Sequence, residues 1–110
     1  MKKFLIIYGM SAESFQKWKD ASPEEKKADE KEWNEWFEKN GKHFADMGSG
    51  VGGNTRMTKD GMEKMPNEVG GYSIINAESI EEIYEFMKEN PHLKSDDDSA
   101  YFDVMEIMEY

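Results

Sequence analysis

Gly70-Gly71-Tyr72-Ser73-Ile74-Ile75-Asn76-Ala77-Glu78-Ser79-Ile80-Glu81-Glu82 is the stretch that decides the fold. Gly71 to Asn76 is short and rich in β-branched and aromatic residues, so it reads as a strand, and one apolar on both faces. Ser79-Ile80-Glu81-Glu82 is a capping box, in which the serine accepts a free amide and the glutamate reaches back to another. Ile80, Ile83, Tyr84 and Met87 then follow at the i, i+3, i+4, i+7 spacing of one buried helix face. Asn90-Pro91 ends that helix, because the residue before a proline is pushed out of the helical region.

The same strand-then-helix phrase stands at the start of the chain. Phe4-Leu5-Ile6-Ile7-Tyr8 reads as a strand apolar on both faces, and Ser11 to Asp20 as a short helix with Phe15 and Trp18 three apart. Ser22-Pro23-Glu24-Glu25 is a strong helix start, since Ser22 caps, Pro23 suits the first helical position and Glu25 closes a box. This helix runs to Asn40-Gly41. Its apolar stripe, Trp33, Trp36 and Phe37, is confined to the second half, so the charged first half projects beyond the core.

Between the two phrases, residues 43–69 are weakly patterned. His43 to Met47 reads as a short strand leading into the glycine-rich Gly48 to Gly53, a flexible loop or bulged edge. Arg56-Met57-Thr58 and Met62-Glu63-Lys64 flank Lys59-Asp60-Gly61, a hairpin signal. A last strand lies within Tyr101 to Tyr110, where Val104, Met105, Ile107 and Met108 place apolar groups on both sides.

Strand, helix, strand, hairpin, strand, helix, strand is the order of an α+β, ferredoxin-like sheet with two main helices on one face, a single domain over residues 1–110. That architecture leaves the second sheet face open although its strands are apolar on both sides, and no spare element is left to cover it. A second copy packed sheet to sheet about a two-fold axis resolves the conflict, which predicts a homodimer.

Composition narrows the partners. Acidic residues outnumber basic ones 24 to 14, for a formal net charge of −10, and the lysines are interleaved with glutamates. Such a surface repels phosphate backbones and anionic lipid, which are bound by clustered Lys and Arg; no nucleic acid and no membrane partner is expected. The absence of cysteine excludes disulfides and thiolate metal sites. No apolar run approaches the roughly 20 residues of a membrane span. The apolar run after Met1-Lys2-Lys3 is too short for a signal peptide, so a cytoplasmic location is expected.

Gly70-Gly71-Tyr72-Ser73-Ile74-Ile75-Asn76-Ala77-Glu78-Ser79 resembles the Gly-Gly-aromatic strand and capped second helix of the YCII-related (DGPF-type) proteins. Asn90-Pro91-His92-Leu93 is similar to the turn after that helix, and Val104 to Tyr110 to the family's final strand. The resemblance spans nearly the whole chain and implies a dimeric α/β barrel, with pockets between helices and sheet or inside the barrel. Two departures limit it. Met65-Pro66-Asn67-Glu68-Val69 stands where the Asp-Gly-Pro-Phe tetrapeptide would be, and Ser11 to Lys39 lacks the histidine of the catalytic pair proposed for the founding branch. That chemistry does not transfer.

Chemistry-bearing residues are few. His92, just past Pro91, is the candidate proton shuttle, because imidazole exchanges a proton near neutral pH; its structural alternative is a loop histidine at a helix C-terminus. Tyr8 and Tyr72 are candidate polar tips on a pocket wall, grouped by even parity with Ile6 and Ile74. His43 and Asp46 join them as pocket candidates; three apart, they would point oppositely on a strand, which argues against a dyad. Gly48-Ser49-Gly50-Val51-Gly52-Gly53 matches G-x-G-x-x-G, but a strand-like segment follows where a dinucleotide site needs a helix. Asp96-Asp97-Asp98 lacks calcium-loop spacing and reads as a solvated loop. No cofactor and no metal are expected. Nine methionines and the aromatic residues make a soft interior suited to a pliable apolar pocket. The reading that follows is a YCII-like homodimer binding a small apolar or aromatic ligand. The alternatives are a cofactor-independent lyase, isomerase or monooxygenase using His92, and an accessory protein-interaction domain.

Overall fold

The computed structural model describes residues 1–108. Strands β1 (Lys2–Gly9), β2 (Phe44–Gly50), β5 (Val69–Ala77) and β6 (Tyr101–Glu106) form an antiparallel sheet in the order β2-β5-β1-β6. This arrangement is compatible with a ferredoxin-like sheet. Helices α1 (Ala12–Lys19) and α2 (Pro23–Asn40) follow β1; α3 (Ile80–Met87) and α4 (Pro91–Lys94) follow β5. The hairpin β3 (Asn54–Thr58) and β4 (Gly61–Met65) is a separate two-stranded sheet, exposed almost throughout. The expected last strand ends at Glu106, and the final residues of its expected span, Glu109 and Tyr110, lie outside the described residues. Among the described residues no helix is long and apolar enough to cross a membrane.

Strand alternation fixes which side is core. Phe4 and Ile6 of β1 face the helices with Ser73, Ile75 and Ala77 of β5, and all are buried. Trp36 of α2 and Ile83 and Met87 of α3 close over them, with Phe37, Phe44, Phe86, Phe102 and Val104 packed around. Each fully buried large side chain contributes about 1.5–3 kcal/mol of apolar burial. The strands expected to be buried on both faces are buried on this one; Leu5, Ile7, Tyr72 and Ile74 on the other are half-buried, and Met105 is exposed.

Three local expectations are corrected. The buried face of α3 is Ile83, Phe86 and Met87, whereas Ile80 and Tyr84 are exposed, because the helix is rotated by about a residue from the pattern's centre. Asn90-Pro91 does not merely end a helix. The Asn90 side chain accepts the His92 amide at 2.8 Å and caps α4, so His92 sits in a helical first turn rather than in a loop. The second helix ends at Asn40-Gly41 as expected, and the last of the three is a refinement: Gly41 has φ −57° and leads into a 3₁₀ turn, Gly41–His43.

The glycine-rich stretch is partly strand. β2 runs to Gly50 along the sheet edge with irregular register against β5 between Phe44 and Ser49. Gly48 has φ +70°, and its missing Cβ leaves room for the Tyr72 carbonyl oxygen. Gly53 has φ +69° but open space around it. Left-handed backbone costs a side chain about 1–2 kcal/mol, so Gly53→Ala should lose about that much. Gly48→Ala should lose clearly more, at least about 3 kcal/mol, since the carbonyl must also move. Urea unfolding of both variants checks this; equal losses would mean that the edge yields freely.

Candidate functional site

Beyond the end of the core lies a cavity of about 680 Å³, bounded by α1, α2, α4 and the ends of β1, β2 and β5. Its lining is mostly aromatic and aliphatic. Tyr8 enters it because it is the next helix-facing residue of β1 after Phe4 and Ile6. The Tyr8 hydroxyl shares a 2.8 Å hydrogen bond with the hydroxyl of fully buried Ser73. Trp33 lies parallel to the Tyr8 ring at 5.7 Å, and Phe102 meets that ring edge-on at 5.0 Å. Phe15 of α1 packs over Gly70, where a Cβ would stand 3.1 Å from the phenyl ring, and Trp18 follows one turn later at 6.1 Å from Phe15. The glycine pair therefore leaves room for an aromatic wall.

His92 completes the wall from α4. Its Nε2 lies 2.8 Å from the Gly9 carbonyl and 3.2 Å from the Tyr101 carbonyl. Both are acceptors only, so Nε2 carries a proton and donates to them, and Nδ1 is the nitrogen left to exchange one. The ring sits among Tyr8, Trp33 and Phe102 at centroid distances of 5.1–6.4 Å. It thus ties α4 to the end of β1 and the start of β6.

A polar seam also borders the cavity. Ser11 caps α1 by accepting the Ser14 amide, and its own amide donates to the Ser99 hydroxyl at 3.1 Å. Ser99 donates through its amide and hydroxyl to Asp97, at 2.9 and 2.6 Å. Hydrogen bonds from Ser14 and Ser99 hold the Asp97 carboxyl below its ordinary range. The aspartate run, expected to be only a solvated loop, contributes through Asp97 to the cavity's edge.

Of the residues singled out in the sequence, Tyr8 and His92 line this cavity and the other three do not. Tyr72 lies on the opposite sheet face: Tyr8 is registered against Gly71, so equal parity in the two strands gives opposite faces. The His43 ring stacks on Phe86 at 4.1 Å, away from the cavity lining. Asp46 is exposed and accepts the Gly48 amide at 2.8 Å within the edge strand. Among the described residues no group of three or more His, Asp or Glu is placed to hold a metal ion.

Sequence reasoning missed Phe15, Trp18, Trp33 and Asp97 as site residues. Trp33 carried a signal, since it lies at the N-terminal edge of the α2 stripe, where that helix leaves the core. Asp97 carried none, because Ser14, the first cause of its lowered pKa, comes from the other end of the chain.

No protein-family model matches this chain, and no curated protein matches it.

Burial raises the Tyr8 phenol above its ordinary pKa of 10.0, an effect that its bond to Ser73 offsets only in part. A group whose folded pKa is raised gives stability that is complete below its unfolded value and lost as pH climbs through the folded one. In ultraviolet titration the folded protein should therefore show a late-ionising tyrosine step, and Tyr8→Phe should remove it. A titration that Tyr8→Phe leaves unchanged at its late end would contradict this environment.

Proposed function

We propose that this chain is a YCII-related protein that binds a small apolar or aromatic molecule in the cavity beside Tyr8 and acts as a homodimer. The cavity itself carries the reading. Its volume of about 680 Å³ lies within the range of small-molecule sites, roughly 300–1,000 Å³. Its lining combines aromatic surface with a few converging polar groups, the hydroxyls of Tyr8 and Ser14 and the imidazole of His92. That mixture gives apolar burial for affinity and a small number of fixed contacts for orientation.

Binding without chemistry is favoured by the state of His92. Both recorded hydrogen bonds of its ring go to main-chain carbonyls. Among the described residues no carboxylate or nucleophilic side chain hydrogen-bonds the ring, so it has no catalytic partner of this chain's own beside it.

The homodimer is supported by the open sheet face. Leu5 is registered between Ile74 and Met105, and Ile7 between Tyr72 and Asp103, so the apolar side chains adjoin one another with the Asp103 carboxylate on the same face. The molecule measures 43 × 38 × 21 Å, the thickness of one helix layer on one sheet. Sheet-to-sheet pairing of two copies would bury the patch and produce the dimeric barrel.

Two measurements test these readings. N-phenyl-1-naphthylamine, an uncharged fluorescent aromatic, should bind saturably at one site per chain, and Trp33→Ala should weaken it at least about tenfold, or 1.4 kcal/mol. Binding that never saturates would overturn the cavity reading. Light scattering on a sizing column should give twice the 12.8 kDa chain mass, falling to the single-chain value in Ile74→Glu. A wild-type monomer at high concentration would overturn the dimer.

A further inference from the structure

We propose that the molecule taken by this cavity is an organic cation, a protonated or quaternary amine on an apolar or aromatic body. This rests on the cavity being a ligand site and names the ligand's chemical class.

The charged groups around the cavity are unbalanced. Asp29 and Glu30 stand on α2, Asp97 on the loop before β6, and Lys19 is the one lysine among the lining residues. Asp29 and Glu30 precede Trp33 by four and three positions, so their carboxylates rise on the same side of the helix as the indole. Among the described residues none of the three carboxylates is in an ion pair. Asp97 is held in its anionic form by the hydroxyls of Ser14 and Ser99. An anionic ligand would meet repulsion here, increased by the net charge of −10.

The aromatic wall has the same preference. Faces of Tyr, Trp and Phe carry negative potential and attract ammonium groups, and clusters of such rings hold quaternary amines. The chain's own lysines already use two of these rings. Lys19 Nζ lies 5.4 Å from the Phe15 ring centre, and Lys26 Nζ lies 5.6 Å from that of Trp18 while donating to the Lys19 carbonyl at 2.7 Å. Trp18 is exposed, so water weakens the Lys26 contact, whereas the Lys19 contact falls on the buried ring of Phe15. The rings of Tyr8 and Trp33, stacked on each other further in, have no lysine over them among the described residues. A ligand cation beside Trp33 would meet the carboxylates of Asp29 and Glu30 next to the indole face, with its apolar part among the other aromatic rings of the lining.

A matched series separates this inference from the reading beneath it. Protonated 4-phenylbutylamine, 4-phenylbutanol and 4-phenylbutanoate share one body and differ in charge, and each can be followed by displacement of N-phenyl-1-naphthylamine. The amine should displace at least about tenfold more tightly than the carboxylate, with the alcohol between them, and added salt should narrow the gap. Asp29→Asn combined with Glu30→Gln, both at solvent-accessible positions, should erase most of the amine's advantage and leave the alcohol unchanged. Equal affinities, or a preference for the carboxylate, would overturn the cation assignment while the cavity reading stands. Failure of all three compounds together with the naphthylamine probe would overturn both.

Discussion

The hydrogen bond between Tyr8 and Ser73 sits where the core stops and the cavity starts. Ser73 is fully buried in a central strand, and a buried hydroxyl left without a partner costs about 1–3 kcal/mol. The Tyr8 phenol supplies that partner across the sheet. In doing so it holds its ring flat along the helix-facing side, where Trp33 can stack and Phe102 and His92 can approach. A series of aromatic contacts then runs from Phe44 through Trp36, Phe37 and Trp33 to Tyr8, so the cavity wall is continuous with the core.

The amphipathic imbalance of α2 acquires a purpose in this arrangement. Its second half carries Trp36 and Phe37 into the core, whereas its first half has almost nothing apolar to bury and extends past the sheet. Asp29, Glu30 and Trp33 lie at the changeover, and all three line the cavity. A helix apolar along its whole length would close down on the sheet and fill that space. The same argument applies to Gly70, where any side chain would press against Phe15 and alter the wall.

Much of this architecture was legible before the structure. Ser22 and Ser79 announced their helices through local side-chain chemistry, and each accepts the amide three residues on, as Ser11 also does without having been read as a cap. The Asp-Gly hairpin and both central strands were equally local signals. The site was less legible because it depends on register. Tyr8 and Tyr72 looked equivalent by parity within their strands, but antiparallel pairing of Tyr8 with Gly71 separates them across the sheet. His43 and Asp46 drew attention as reactive types near glycines, and the edge strand gave them neighbours unrelated to the cavity. The seam of Ser11, Ser14, Asp97 and Ser99 joins the two ends of the chain, which no local pattern encodes.

His92 shows how little chemistry follows from residue type alone. Its position after Pro91 suggested a loop histidine at the end of a helix, yet Asn90 caps a new turn of helix there. The ring then donates to two carbonyls belonging to adjacent strands, Gly9 at the end of β1 and Tyr101 at the start of β6. These groups lie where the β1–β6 pairing terminates, and a strand end buried without partners would be costly. The imidazole therefore stabilises the frayed end of the sheet with the same nitrogen that fixes its orientation in the wall. A proton shuttle at Nε2 would have to break that junction in each cycle. An imidazole that keeps it intact offers the cavity a fixed aromatic edge and leaves Nδ1 as the nitrogen able to meet a ligand.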